Sequence, residues 1–237
     1  MYKFGSRVRY SEVGSDGRLS ISSAINYMQD CSTFQSEYIG LGVEGLKKLG
    51  RAWLLTAWDI CINELPELGS ELEIMTWPTE FKGFLGYRNF VIASGEGKAY
   101  VQANSLWAYV DTVSGRPVKP TDEEIRGYSI EAALGMDKLE RRVRLPENME
   151  TAEAINIRKH QIDTNGHVNN CEYVKMALEY LPEGFEIGRI HVEYRTPAYY
   201  GMRLTAKTSI DEENVFVALY DETGSLCSAV RFVRSNR

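Results

Sequence analysis

Two apolar stripes with helical spacing organise the chain, and each is followed by runs of alternating residues. In the first stripe Ile21, Ile25 and Met28 recur behind Ser20, a good N-cap, and Gly40 provides the stop. In the second, Tyr173, Met176, Ala177, Tyr180 and Leu181 share a face behind Asn169. Glu172 stands where a reciprocal capping residue would stand, and Val168 and Tyr173 occupy the positions of a hydrophobic staple. Pro182 and Gly184 end the element. Alternation marks the strands: Leu72, Ile74 and Thr76 point one way, Glu71 and Glu73 the other. Residues 84–94 and 98–111 read as two long strands joined by Gly95-Glu96-Gly97. Residues 214–220 and 226–233, joined around Asp221-Glu222-Thr223-Gly224, repeat that arrangement. No helix separates the strands of either pair, so the sheet is expected to be mainly antiparallel.

The two halves also correspond to each other. Arg158, Ile162, Gly166, Val168 and Asn169 fall on Arg9, Val13, Gly17, Leu19 and Ser20, 149 positions earlier. Downstream, Ile190, Val192, Tyr194 and Tyr200-Gly201 fall on Trp58, Ile60, Ile62 and Leu68-Gly69 at a smaller offset. A repeat of this size implies a duplicated domain, because solenoid units are much shorter. The expected fold is α+β, a tandem (double) hotdog in which each half is a long helix wrapped by an antiparallel sheet. The expected boundaries are 1–128 for the N-terminal unit, 129–150 for a connector and 151–237 for the C-terminal unit. The stretch from Thr121 to Glu150 is rich in charge and has no apolar period, as a connector would be.

Composition narrows the classes. With 237 residues and 43% hydrophobic content the chain can bury a sizeable core, and two units of ordinary size fit. It has no apolar run long enough to span a bilayer and no basic-then-apolar leader, so membrane insertion and export are not expected. Cys31, Cys61, Cys171 and Cys227 are scattered without CxxC pairing, which reads as reduced thiols in a cytoplasmic protein. A net charge of −6 argues against nucleic-acid binding. Basic clusters remain at Arg141-Arg142-Val-Arg144, at Lys47-Lys48 with Arg51, and at Arg231, Arg234 and Arg237.

Several motifs fail their context. Gly40-Leu-Gly42-Val-Glu-Gly45 matches a dinucleotide fingerprint formally, but it follows a helix and opens no βαβ unit. There is no GxSxG elbow. His160, Asp163, His167 and Cys171 match no common zinc spacing. Neither a metal nor a cofactor is expected.

The run Asp163-Thr-Asn165-Gly-His167-Val-Asn169-Asn170 carries the candidate chemistry. It places a carboxylate, a carboxamide and an imidazole within five residues, immediately before a helix N-terminus. Residue by residue these are ordinary turn and cap residues. Yet the equivalent turn of the first half manages with Gly14, Asp16 and Arg18, so one copy has gained three chemically useful groups. Such a set can polarise a carbonyl and deliver water to it, with the amides around Asn169 and Asn170 as an oxyanion site. The first half lacks these groups and is expected to supply wall for a substrate, from its helix around Met28, Ser32 and Phe34.

At these residues the chain resembles a family. Asp163-x-Asn165-x-His167-Val-Asn-Asn, the duplicated layout and the upstream Trp53-Leu-Leu-Thr56 strand are similar to the acyl-acyl carrier protein thioesterases of plants and bacteria, over nearly the whole chain. Single-hotdog acyl-CoA thioesterases carry related runs, and the duplication within one chain favours the carrier-protein family. The resemblance implies hydrolysis of acyl-acyl carrier protein thioesters, releasing free fatty acid and ending chain elongation, with Asp163, Asn165 and His167 as the catalytic set. The implied partner is acyl carrier protein bearing an acyl chain, and a homodimer is an admissible assembly. An acyl-CoA thioesterase and a non-catalytic acyl- or carrier-protein-binding module are the alternatives. The family also uses a glutamate shortly after the strand resembling Val192-Glu193-Tyr194-Arg195. Here that place holds Thr196-Pro197-Ala198, with no carboxylate before Asp211. Either Asp163 works alone, or Glu193 or Glu179 approaches from elsewhere, or turnover is weak.

Overall fold

The structure, a computed structural model, describes residues 1–236. Residues 1–55 and 60–139 form one compact unit, and 56–59 with 140 onward form a second. Residues 129–139 of the expected connector thus go with the first unit and 140–150 with the second.

The first unit contains β1 (Tyr2–Arg7), α1 (Ile21–Tyr38), α2 (Val43–Lys48), β2 (Arg51–Ile62), β3 (Glu71–Lys82), β4 (Leu85–Ala93), β5 (Ala99–Asp111) and α3 (Asp122–Ile125). The middle of β2, Thr56–Asp59, counts with the second unit. The strand order is β1-β3-β4-β5-β2, and β1/β3, β3/β4 and β4/β5 are antiparallel. Helix α1 starts where Ser20 accepts the Ser23 N–H at 3.2 Å, and the chain turns away at Gly40, whose φ of +76° suits a residue without Cβ. Its Ala24, Ile25, Met28 and Cys31 are buried, and it packs on β1, β3 and β4. Each fully buried aliphatic side chain here contributes roughly 1.5–3 kcal/mol.

The second unit contains β6 (Glu150–Asn156), α4 (Asn170–Leu178), β7 (Ile187–Tyr194), β8 (Arg203–Ile210), β9 (Asn214–Tyr220) and β10 (Leu226–Arg234). Its order is β7-β10-β9-β8-β6, antiparallel at every step. Each unit is a helix laid on an antiparallel sheet, so the chain is a double hotdog.

One helix is shorter than expected. Helix α4 spans 9 residues against 18 for α1. Tyr180 and Leu181 follow it in tighter turns, with N–H groups bonded three residues back to Ala177 and Leu178 at 3.2 Å each. Pro182 has no N–H to continue the ladder and disfavours helical backbone in the residue before it.

The duplication extends to individual main-chain hydrogen bonds. In the first half Val8 N–H donates to Ser70 O, Gly69 N–H to Val8 O and Leu19 N–H to Pro66 O, at 3.0, 2.9 and 2.8 Å. In the second half Ile157 donates to Met202, Gly201 to Ile157 and Val168 to Ala198, at 2.9, 3.3 and 2.9 Å. The two sets are related by the same two offsets that relate the sequences.

The segment after α3 crosses the first sheet on the face opposite α1. Glu131 N–H donates to Pro78 O at 3.0 Å, Trp77 Nε1 to Ala132 O at 2.9 Å and Leu134 N–H to Asn89 Oδ1 at 2.9 Å. Asn104 Nδ2 then donates to Asp137 O at 3.2 Å, so the segment engages β3, β4 and β5 in turn. Leu134 covers part of this face by packing on the cluster of Trp77, Val91 and Ala93. Leu134→Ala is therefore expected to cost about 2 kcal/mol, the low end for such a truncation because the side chain is only half-buried. A urea midpoint unchanged from wild type would show that the segment does not hold this face.

Candidate active site

The turn that carries Asp163, Asn165 and His167 is built by main-chain bonds. Ile162 and Val168 form a bridge, Asp163 N–H donates to His167 O at 2.8 Å, and Gly166 N–H donates to Asp163 O at 3.1 Å. Gly166 has φ +80°, a left-handed conformation that L side chains rarely adopt. The Asp163 carboxylate folds back over the turn. Its Oδ1 accepts the Asn165 and His167 N–H groups at 2.8 and 3.2 Å, and among the described residues its Oδ2 accepts only Asn165 Nδ2, at 3.3 Å. Oδ2 therefore keeps lone pairs for water. The half-buried His167 ring stands edge-on to Tyr199, centroids 5.1 Å apart at 83°, and neither ring nitrogen bonds to a described residue. The structure thus brings Asp163, Asn165 and His167 together.

Asn169 caps α4 as expected, its Oδ1 accepting the Cys171 N–H at 2.9 Å. Glu172 does not return the bond as a capping box requires. The Asn169 N–H is already taken by Gln161 O at 2.8 Å, and Glu172 turns to Lys175 Nζ at 2.6 Å. With the Asn169 side chain engaged in the cap, the first-turn group left open among the described residues is the Asn170 N–H. The Asn170 carbonyl accepts Tyr194 Oη–H at 2.9 Å. An unpaired N–H at the positive end of a helix is where developing negative charge is best held.

The loop where the resemblance expects a glutamate lies beside this turn. Ala198 O accepts the Val168 N–H, Ala198 N–H donates to Tyr173 Oη at 2.9 Å, and Tyr199 meets His167. No carboxylate stands at Thr196, Pro197 or Ala198. Neither substitute serves. Tyr194 bonds to α4, so the alternation of β7 sends Glu193 to the opposite face. There Glu193 is 4% exposed, accepts the Val143 N–H at 3.0 Å and pairs with Arg195. Glu179 is the exposed C-cap of α4, about 15 Å along the axis from Asn169. Asp163 is left as the carboxylate of the turn. Tyr173 and Tyr199 had not been expected at the site, and their only sequence signal is proximity, one inside the capped helix and one directly after the loop.

The first-half turn shows the same backbone with other side chains. Asp16 Oδ1 accepts the Arg18 N–H at 3.0 Å, and Arg18, in the place of His167, reaches out to Leu65 O and Glu67 Oε1 at 2.9 Å each. Arg18 is a clamp. On α1, Met28 and Ser32 lie on the buried face, and Ser32 Oγ–H donates to Gln29 O at 2.8 Å. Phe34 does not join them: it is 44% exposed and stands edge-on to Phe4 at 5.3 Å. Among the described residues no group of three His, Cys, Asp or Glu side chains is arranged to hold a metal. Cys171 faces the core, and burial pushes its thiol up to about 12. No helix among the described residues is long and apolar enough to cross a membrane. Arg231 and Arg234 are engaged with Asn214 Oδ1 and Glu212 O, and Arg237 lies outside the described residues.

The chain matches known proteins over most of its length. Residues 1–128 match the model of the acyl-ACP thioesterase N-terminal domain, and residues 146–225 that of the C-terminal domain. A chloroplastic acyl-[acyl-carrier-protein] hydrolase of Cuphea viscosissima is 26% identical over 225 residues, 86% of this chain and 54% of that protein. A chloroplastic palmitoyl-acyl carrier protein thioesterase of Gossypium hirsutum is 24% identical, over 87% of this chain and 54% of its own length. The chain thus spans about half the length of the curated relatives it matches. Among solved structures, an acyl-ACP thioesterase from Bacteroides thetaiotaomicron superposes with TM-score 0.90 at 21% identity, covering 98% of this chain and 97% of that one. The 12:0-ACP thioesterase from Umbellularia californica gives 0.85 at 21%, covering 99% and 96%. At these identities the superpositions establish the fold.

The placement of Glu193 has a measurable consequence. Glu193→Ala removes the acceptor of a connector N–H and the partner of Arg195, and is expected to lower stability by about 1–3 kcal/mol. Its turnover should stay within about threefold of wild type, since the group faces away from the turn. A hundredfold loss of turnover with unchanged stability would return Glu193 to the site.

Proposed function

Because the chain belongs to the acyl-ACP thioesterase family, we propose that it hydrolyses the thioester of an acyl group carried on acyl carrier protein, releasing a free fatty acid and ending chain elongation. The observation that carries this reading is the contrast between two copies of one turn. One copy clamps through Arg18. The other presents a carboxylate oxygen with open lone pairs, an imidazole with open nitrogens and an unpaired helix N–H.

A thioester carbonyl needs only modest polarisation, because the acyl group is already activated. The Asn170 N–H and the dipole of α4 receive the charge that develops on its oxygen. Asp163 Oδ2 orients the attacking water and takes its proton, or attacks first to give a transient anhydride that water then opens. His167 hydrogen-bonds the sulfur and delivers a proton to the leaving thiolate. Asn165, donating to both carboxylate oxygens, fixes the aim of Asp163. The division of labour follows: residues 151–237 carry the chemistry, 1–128 receive the acyl chain along the Met28 and Ser32 face of α1, and 129–150 connect them. We place the protein in the cytoplasm, a setting that suits its four free cysteines. One observation favours a second reading. The missing carboxylate at Thr196-Pro197-Ala198 suits a module that binds acyl carrier protein without turnover.

Asp163→Ala, Asn165→Ala and His167→Ala should each slow thioester hydrolysis by at least roughly a hundredfold, while Asp16→Ala should leave the rate unchanged. The main-chain bonds of the turn remain when the Asp163 and Asp16 carboxylates are removed, so all four variants should fold. Near wild-type free-thiol release from all three C-terminal variants would favour the binding-module reading.

Docking raises a separate question of charge. Acyl carrier proteins are acidic and so is this chain, at −6, so their approach needs a local basic patch, effective over roughly 10 Å at ordinary salt. Arg141, Arg142 and Arg144 are exposed and adjacent. Reversing all three charges should raise KM for the carrier-protein substrate and spare a small CoA thioester. Equal effects on both substrates would move docking to Lys47, Lys48 and Arg51.

A further inference from the structure

Arg88, on β4, is buried at 9% exposure, and no carboxylate pairs with it among the described residues. Its hydrogen bonds to them run from Nη1 alone, to Gln35 Oε1 and to Thr76 Oγ1, the latter at 3.1 Å. The guanidinium carbon also lies 5.5 Å from the centre of the Tyr128 ring, whose hydroxyl bonds to Ser36 Oγ at 2.9 Å. A guanidinium has five N–H donors, so among the described residues the Nε and Nη2 donors have no acceptor. Burial lowers its pKa to about 10, which still leaves it a cation at neutral pH. A cation with only neutral partners still carries a desolvation cost, and Nε and Nη2, which are not among the fully buried atoms that lack a partner, stay open to a further acceptor.

Its position gives it a use. Met28, Ser32 and Gln35 follow one another on the buried face of α1 at spacings of four and three residues. Toward the helix N-terminus this face is apolar, with Ala24, Ile25 and Met28, and toward the C-terminus it turns polar, with Ser32 and Gln35. Thr76, Arg88, Tyr128 and Ser36 gather around that polar end. A chain lying along the face would leave its apolar part at Met28, pass Ser32 and, about 10 Å beyond Met28, meet the guanidinium at Gln35. An alkyl end there would leave the idle donors dry and unpaired, whereas an oxygen would satisfy them.

We propose that Arg88, with Gln35 and Thr76, forms a polar end wall of the acyl site that stops plain alkyl chains and accepts an acyl group whose far end carries a hydrogen-bond-accepting oxygen. The proposal rests on the reading of the N-terminal unit as the acyl-receiving half.

The test uses the full chain as wild type, Arg88→Met and Gln35→Leu. Each is given straight-chain acyl thioesters of increasing length and their ω-hydroxy counterparts, and binding of the corresponding free acids is measured by calorimetry. Wild type should show a length beyond which alkyl substrates fail, and at that length should favour the ω-hydroxy compound by at least roughly tenfold in kcat/KM and in affinity. Arg88→Met should lose that preference and accept longer alkyl chains, with Gln35→Leu in between. Removing an unpaired buried charge should not lower Tm. Absence of an ω-hydroxy preference in wild type at every length overturns the proposal and needs no variant to fold. An unchanged preference in folded Arg88→Met overturns it as well. If wild type hydrolyses nothing but binds ω-hydroxy acids in preference, hydrolysis is the reading that fails and the end wall stands.

Discussion

The placement of the candidate chemistry depends on one main-chain hydrogen bond, from Val168 N–H to Ala198 O. It ties the turn before α4 to the loop after β7, and its equivalent, Leu19 to Pro66, does the same in the first half. Side chains take no part in either bond, so the tie between turn and loop does not depend on which residues stand at 163, 165 and 167. That freedom allows one copy to hold Arg18 as a clamp and the other to hold His167 with its ring nitrogens open. A net main-chain hydrogen bond contributes only about 1 kcal/mol. Its larger effect here is geometric: it fixes which residues can meet.

Asp163 holds the turn and, in the proposed reaction, carries the chemistry as well. One oxygen holds two backbone N–H groups of the turn and the other is almost free. An Asx turn alone would account for the first oxygen. The second oxygen, the imidazole and the open Asn170 N–H lie outside any such account, since none of them stabilises the turn. In the proposed hydrolysis the absence of a carboxylate at Thr196-Pro197-Ala198 leaves proton abstraction to a single group. That is a weaker arrangement than a pair, and a thioester, being activated, tolerates it.

Local features were legible in the sequence because local chemistry determines them. Ser20 and Asn169 cap their helices, Gly40 ends the first, and the hairpins fall where Gly95-Glu96-Gly97 and Asp221 to Gly224 interrupt alternation. The duplication was legible too, down to offsets that the hydrogen bonds repeat. Partners distant in the chain were not. Glu172 has the right spacing for a capping box, but the Asn169 N–H it would bind is taken by the Gln161 carbonyl from the far side of the turn. Leu134 carries no periodic signal because it packs from an irregular segment. The face of Glu193 could have been read, since Val192 and Tyr194 flank it in a period of two and both belong to the helix side. Phe34 shows the reverse error, a residue near Met28 and Ser32 in sequence that helical rotation carries to another face.

The two units hold these arginines differently. In the second unit Asp59, fully buried, receives Arg189 through both carboxylate oxygens at 2.7 Å. His191 stands 3.5 Å from the same carboxylate, and burial holds its imidazole below its ordinary value, toward the neutral form. That pair is matched in charge and in geometry, so its members need nothing further. Arg88 in the first unit has neither match. The same fold can therefore compensate a buried charge, as it does for Asp59, and among the described residues it gives Arg88 no opposite charge. A methionine would fill the volume at Arg88 and remove the desolvation of a charge. What it would not supply is a set of donors facing the polar end of α1, and that is the property through which the residue can act on a ligand.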